Sequence, residues 1–180
     1  MAGHELSTDV HVLNPSASEA LDFQALLHTY IRAPANDVSI SPLLGKRYID
    51  KTKKSLELDA RNALKEETRN AVDVRSFTDS VYEDAPPRVN VSWPGGAVGL
   101  KLHGFTTLTI WNPQAEAVSK IGDMEENGWC VLPLLPSRLV YNTTLARRER
   151  FVCVEPGYVR GFKRLDPGEK WIGQQVLVVD

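Results

Sequence analysis

The feature that most constrains this chain is a two-residue hydrophobic period that returns from one end to the other, punctuated by turn chemistry. STDVHVL (7–13), LDFQALLHTYIR (21–32), DVSISPL (37–43), RVNVSW (88–93), FTTLTIWN (105–112), FVCVE (151–155) and WIGQQVLVV (171–179) all alternate. Alternation at period two places successive side chains on opposite faces of a pleated strand, and β-branched and aromatic residues suit that surface. NPSASEA, RAPAND, DAPP, WPGG and DPGEK stand between the runs, rich in the residues that set turns. Short strands with such connections predict an all-β, mostly antiparallel sandwich. One stretch, Ala60 to Thr68, reads as a brief helical connection, and residues 114–129 read as a polar loop.

With 180 residues and 42% hydrophobic content, the chain suits one domain spanning residues 1–180. Its net charge of −2 is made of scattered charges, which excludes the concentrated basic footprint that nucleic acid or an anionic membrane selects. The N-terminal stretch lacks the basic and apolar regions of a secretion signal, and no apolar run is long enough to span a bilayer. The expectation is a soluble, cytoplasmic monomer. Cys130 and Cys153 have neither a Cys-x-x-Cys partner nor a histidine at zinc-ligand spacing, so no metal, disulfide or cofactor is expected.

Two runs carry candidate chemistry. In FVCVE, alternation sets Glu155 on one face with Phe151 and Cys153, directly before Pro156-Gly157. A carboxylate among apolar neighbours has its proton affinity raised by desolvation. The alternative is a last strand residue leaning into water before a turn. In LDFQALLHTYIR, one face carries Gln24, Leu26, His28, Tyr30 and Arg32, the other Phe23, Ala25, Leu27, Thr29 and Ile31. The first face offers an amide, an imidazole, a phenol and a guanidinium, which suit sugar hydroxyls and charges, or equally a solvated surface. A histidine and a partly buried glutamate form an acid–base pair. Opening a cyclic hemiacetal needs such a pair, one group taking the anomeric hydroxyl proton while the other protonates the ring oxygen.

LDFQALLHTYIR, then PLLGKRYIDKT, FTDSVYED, TLTIWNPQAEAVSKIGDME and RFVCVEPGYVRGFKRLDPGEKWIGQQVL, in that order, resemble the later part of the glucose-6-phosphate 1-epimerases. These are the hexose-6-phosphate mutarotases of the aldose-1-epimerase, galactose mutarotase-like superfamily. The resemblance implies a large β-sandwich, here incomplete, acting on a small sugar phosphate without a cofactor. It implies that His28 of LHTY is the general acid, Glu155 of CVEPG the general base, and Asp79 of FTDSVY a holder of sugar hydroxyls; Gln24 joins the substrate-binding set. It further implies that Glu155 ends its strand, that Pro156-Gly157 turns the chain away, and that His28 and Glu155 stand about a sugar ring's width apart with Asp79 at the rim.

The sequence departs from the family pattern twice. The family's N-terminal part, with another histidine and the arginines of the phosphate clamp, has no counterpart here. Lys46, Arg47, Lys51 and Arg88 are cations without the spacing of a phosphate fork. The twenty residues 130–149 separate Gly128-Trp129 from Arg150-Phe151, which are nearly contiguous in the family, and read as an insert of retained-intron type. Weak activity of the chain as it stands is therefore expected. The other class of function to weigh is a non-catalytic, carbohydrate-binding or regulatory sandwich; a glycosidase using Asp79 and Glu155 fits the motifs less well.

Overall fold

A computed structural model describes residues 4–52, 63–114 and 151–179. Among these the elements are twelve strands and one 3-10 turn at Ala35–Asp37. In chain order the strands are β1 (His4–Leu13), β2 (Leu21–Leu26), β3 (Tyr30–Arg32), β4 (Ser39–Ser41), β5 (Arg47–Asp50) and β6 (Leu64–Glu66). They continue as β7 (Thr78–Glu83), β8 (Arg88–Trp93), β9 (Gly96–His103), β10 (Thr107–Asn112), β11 (Phe151–Leu165) and β12 (Lys170–Val179). They form two antiparallel sheets. One has the order β1-β12-β9-β8-β4; the other has the order β2-β11-β10-β7-β5-β6, with β3 also pairing β11.

Every alternating run of the sequence contains strand, though 21–32 breaks at residues 27–29 and only Ser39–Ser41 of 37–43 is strand, and three further points depart from the reading. The described part of the 60–68 stretch is not helical: Leu64–Glu66 is an edge strand whose Arg47↔Glu66 and Ile49↔Leu64 registers extend the larger sheet. β9 escapes the period-two rule because Gly96 and Gly99 replace side chains the pattern needs. Pro94 and Gly95, at φ +95°, make it the second arm of a tight hairpin with β8. The third departure is β11. It does not stop at Glu155 but runs through Pro156 and Gly157 to Leu165. The segment 130–149 lies outside the described residues.

The core is the seam between the sheets. Ile31, Tyr82, Leu108, Ile110, Val152 and Val154 from the larger sheet pack against Ile40, Val89, Val91 and Leu100 from the smaller one, all buried. Each such aliphatic side chain contributes about 1.5–3 kcal/mol of transfer free energy, which decides which face of each strand turns inward. A second cluster closes one end, where Trp171 meets Phe23 edge-on at 5.3 Å and Phe105 at 5.5 Å.

One buried carboxylate beside the seam is held by two partners. Glu67 is buried; it accepts from the Tyr82 hydroxyl at 2.6 Å and from Arg69 Nε and Nη2 at 2.8 Å each. Burial alone would raise its pKa, but the Arg69 and Tyr82 hydrogen bonds outweigh it and bring the carboxyl down to about 2.

Candidate active site

With Val152, Val154, Leu108, Ile110 and Tyr82 turned into the seam, the residues between them line the opposite face of the larger sheet. Register joins them into rows: Tyr30↔Cys153↔Trp111↔Asp79 across β3, β11, β10 and β7, and Glu155↔Thr109↔Val81 two residues along. Same-parity rows share a face, so Cys153, Glu155, Trp111, Thr109 and Asp79 all point away from the core.

Pro156 explains how His28 joins them. Leu26 pairs with Gly157 and Tyr30 with Cys153, so an uninterrupted ladder would set His28 opposite Glu155. Along that edge Val154 N–H donates to the Thr29 carbonyl at 3.1 Å, and Leu27 N–H donates to the Pro156 carbonyl at 3.0 Å. Two further ladder bonds would run from residue 156 N–H to the Leu27 carbonyl and from Thr29 N–H to the Val154 carbonyl, and for the first proline has no N–H to give. Thr29 N–H takes the Leu27 carbonyl instead at 3.0 Å, closing a three-residue turn with His28 at its apex. The turn is braced from the other sheet, where the Thr29 hydroxyl donates to Gln175 Oε1 at 2.7 Å. One missing donor therefore splits the run 21–32 into β2 and β3 at the histidine. Gly157 then lets β2 close in, since a Cβ there would lie 2.8 Å from Leu26 Cδ1.

His28 Nδ1 lies 3.2 Å from Glu155 Oε1. The two side chains share a face, as the alternation predicts, but they touch rather than stand a sugar ring apart. The contact brings a polar ring nitrogen up to a carboxylate that is otherwise withdrawn from water. The imidazole stacks on Tyr30 at 4.8 Å, nearly parallel, and meets Trp111 edge-on at 5.9 Å. Its side chain remains 47% exposed against 4% for Glu155, so solvent and solutes reach the dyad from the histidine side.

The electrostatics follow from this placement. Burial pushes Glu155 up to about 7; the Asp79 charge adds to the rise and Lys51 opposes it. Asp79 is itself raised by burial, with Lys51 countering and Asp50 adding. Cys153 is held far above the ordinary thiol range by burial and then by the Glu155 charge. Glu155 is thus a base of near-neutral strength, poised for proton transfer at ordinary pH.

Of the residues singled out in the sequence, His28 and Glu155 are in contact, and Asp79 joins them through register and charge. Gln24 is engaged elsewhere, its amide donating to the Val159 and Gly161 carbonyls at 3.2 and 2.8 Å. Lys51 enters from just beyond β5, where its N–H donates to the Asp79 carbonyl at 2.7 Å. Nothing in YIDKT marks it, whereas Trp111 was legible from the Thr107-Thr109-Trp111 face of TLTIWN. Among the other cations, Arg47 is paired to Glu83 at 3.2 Å and Arg88 lies on the smaller sheet. No helix among the described residues is long and apolar enough to cross a membrane.

No family profile matches the chain. Several solved structures share its architecture. A candidate mutarotase, YeaD, from Salmonella typhimurium superposes with a TM-score of 0.69 at 20% identity, covering 96% of this chain and 50% of that one. The Slr1438 protein from Synechocystis sp. PCC 6803 gives 0.66 at 11% identity, over 100% and 52%. A candidate aldose 1-epimerase from Escherichia coli K12 gives 0.62 at 15% identity, over 98% and 56%. The chain spans about half the length of these structures. At such identities the likeness establishes the fold, an antiparallel sandwich of the galactose mutarotase-like type.

Proposed function

We propose that this chain carries the acid–base centre of a sugar mutarotase, and that its substrates are hexose 6-phosphates such as glucose 6-phosphate. The observation that carries the reading is the His28–Glu155 contact at 3.2 Å on the face turned away from the core, with the carboxyl tuned to about 7. The motif resemblance and the fold of the solved neighbours support the same reaction class. The 6-phosphate rests on the motif resemblance alone.

In this mechanism the sugar enters from the exposed side of His28 and separates the dyad. Glu155 takes the proton from the anomeric hydroxyl, whose oxygen becomes the aldehyde carbonyl as the bond from C1 to the ring oxygen breaks. His28 protonates the ring oxygen. Rotation about the C1–C2 bond presents the other face of the aldehyde, and the two transfers reverse on ring closure. No net proton or electron is consumed, so the pair returns to its starting state. Asp79 holds hydroxyls and keeps Glu155 basic; Tyr30 and Trp111 offer flat apolar surfaces to the sugar ring. The chain acts on a small solute as a monomer, away from nucleic acid and membranes, in the cytoplasm.

A second reading is favoured by the directness of the dyad contact, which leaves no gap for a ring, and by the half-length match. It is a non-catalytic sandwich that binds carbohydrate without turnover. Exchange NMR between α and β anomers of glucose 6-phosphate, on a version extended to the length of the solved neighbours, separates the two: saturable acceleration supports the mutarotase, and binding without acceleration supports the second reading.

A further inference from the structure

We propose that His28, Cys153 and Glu155 together form a binding site for a borderline or soft divalent cation of the zinc class. Their ligand atoms, one nitrogen, one sulfur and one oxygen, all lie within 4.8 Å of one another. Zinc bonds of 2.0–2.3 Å arranged tetrahedrally set neighbouring donors roughly 3.3–3.6 Å apart. The 3.2 Å between His28 Nδ1 and Glu155 Oε1 already matches one such edge, and the sulfur completes a triangle whose longest edge would contract by up to about 1.2–1.5 Å.

The donor set argues for the metal class. A metal ion that displaces the Cys153 proton meets a thiolate and a carboxylate, which neutralise its divalent charge, and a neutral imidazole supplies the third bond. Thiolate and imidazole favour zinc and cadmium over magnesium or calcium, which take oxygen. The support is rigid. Cys153 and Glu155 are two residues apart on one strand face, fixed by Trp111 and Thr109 on one side, and Cys153 also by Tyr30 on the other. His28 is fixed by the turn that Pro156 forces. The Asp79 charge adds attraction at slightly longer range. The exposed imidazole leaves a route of entry from solvent. The pattern was invisible to a search for ligand spacing, because Cys153 and Glu155 meet a histidine more than 120 positions away only through β-pairing. Binding by this triad does not depend on the activity proposed above.

Cadmium titration of the purified chain, followed by the ultraviolet sulfur-to-cadmium charge-transfer band and by calorimetry, tests the site. The expected result is saturable binding of one ion per chain, displaced by zinc but not by magnesium, with the band lost in Cys153→Ser and kept in Cys130→Ser. His28→Gln, at a half-exposed position, should keep the fold by circular dichroism yet weaken binding about tenfold or more. That variant decides the matter where Cys153→Ser does not fold. Absence of a band in the wild-type chain, a band that follows Cys130, or unchanged affinity in His28→Gln overturns the proposal.

Discussion

Replacing Glu155 with glutamine should make the protein more stable above neutral pH and leave its stability unchanged in acid. In the unfolded chain the carboxyl ionises near 4.5, whereas in the folded chain burial and the Asp79 charge hold its proton up to about 7. Between those values the folded state binds a proton that the unfolded state has released, so stability falls as pH rises. The cost is absent below 4.5 and complete above 7. Its size follows from the two limits, 4.5 and about 7, and comes to about 3 kcal/mol. The His28 Nδ1 atom, 3.2 Å from the carboxylate, can offset part of the cost and makes this a ceiling. Glutamine keeps the shape and removes the titration. Urea or thermal melts of both proteins at about pH 4, 6 and 8 give the comparison. The variant should match wild type at the lowest pH and exceed it at the highest by up to about 3 kcal/mol, or about 6–12 °C in Tm for a domain of this size. A variant equally or less stable at every pH would refute the claim that Glu155 is ionised at a cost to folding.

Further consequences can be checked separately. Pro156→Ala restores the missing donor, so the new amide should bond the Leu27 carbonyl and become protected from hydrogen exchange, while Thr29 N–H is released from that carbonyl toward Val154; a freely exchanging residue-156 amide would refute the account of the His28 turn. Asp79→Asn should lower the Glu155 pKa, read from the carboxyl carbon shift, and Lys51→Met should raise it; a shift in neither variant would remove both residues from the site's electrostatics. Glu67→Gln should cost about 2 kcal/mol near neutrality by weakening the Arg69 and Tyr82 hydrogen bonds. Because Glu67 falls from 4.5 to about 2 on folding, its contribution is present above 4.5 and lost as pH falls through 2, so the two proteins should converge in strong acid.

Most of this architecture can be read from alternation, because one face of each strand pays for burial and the other does not. The runs around Val10, Val91, Ile110, Val152 and Val176 all fall on strands. β5, β6 and β9 were harder to see, being short or interrupted by glycine, so that pairing partners rather than their own side chains define them. The faces of His28, Trp111 and Glu155 were legible for the same reason. Their spacing was not. It depends on a backbone donor that proline lacks, an effect exerted across the sheet on residues some 128 positions away. Pro156-Gly157 reads as a turn in the sequence, the ordinary meaning of that pair, because nothing local shows that β2 and β10 flank it and carry the strand onward. Lys51 and Cys153 were missed as members of the site because each becomes relevant only once register is known.

The most direct test of the acid–base centre is the rate of anomer exchange of glucose 6-phosphate, measured by exchange NMR against the spontaneous rate. It is made on this chain and on a version extended to the length of the solved neighbours and lacking residues 130–149. The account predicts little acceleration by the chain alone and saturable acceleration by the extended version. In the extended version Glu155→Gln should retain sugar-phosphate binding while slowing turnover by about a hundredfold or more, since the amide cannot accept the anomeric proton. An extended protein that binds the sugar without accelerating exchange, or one whose rate is untouched by Glu155→Gln, would contradict it.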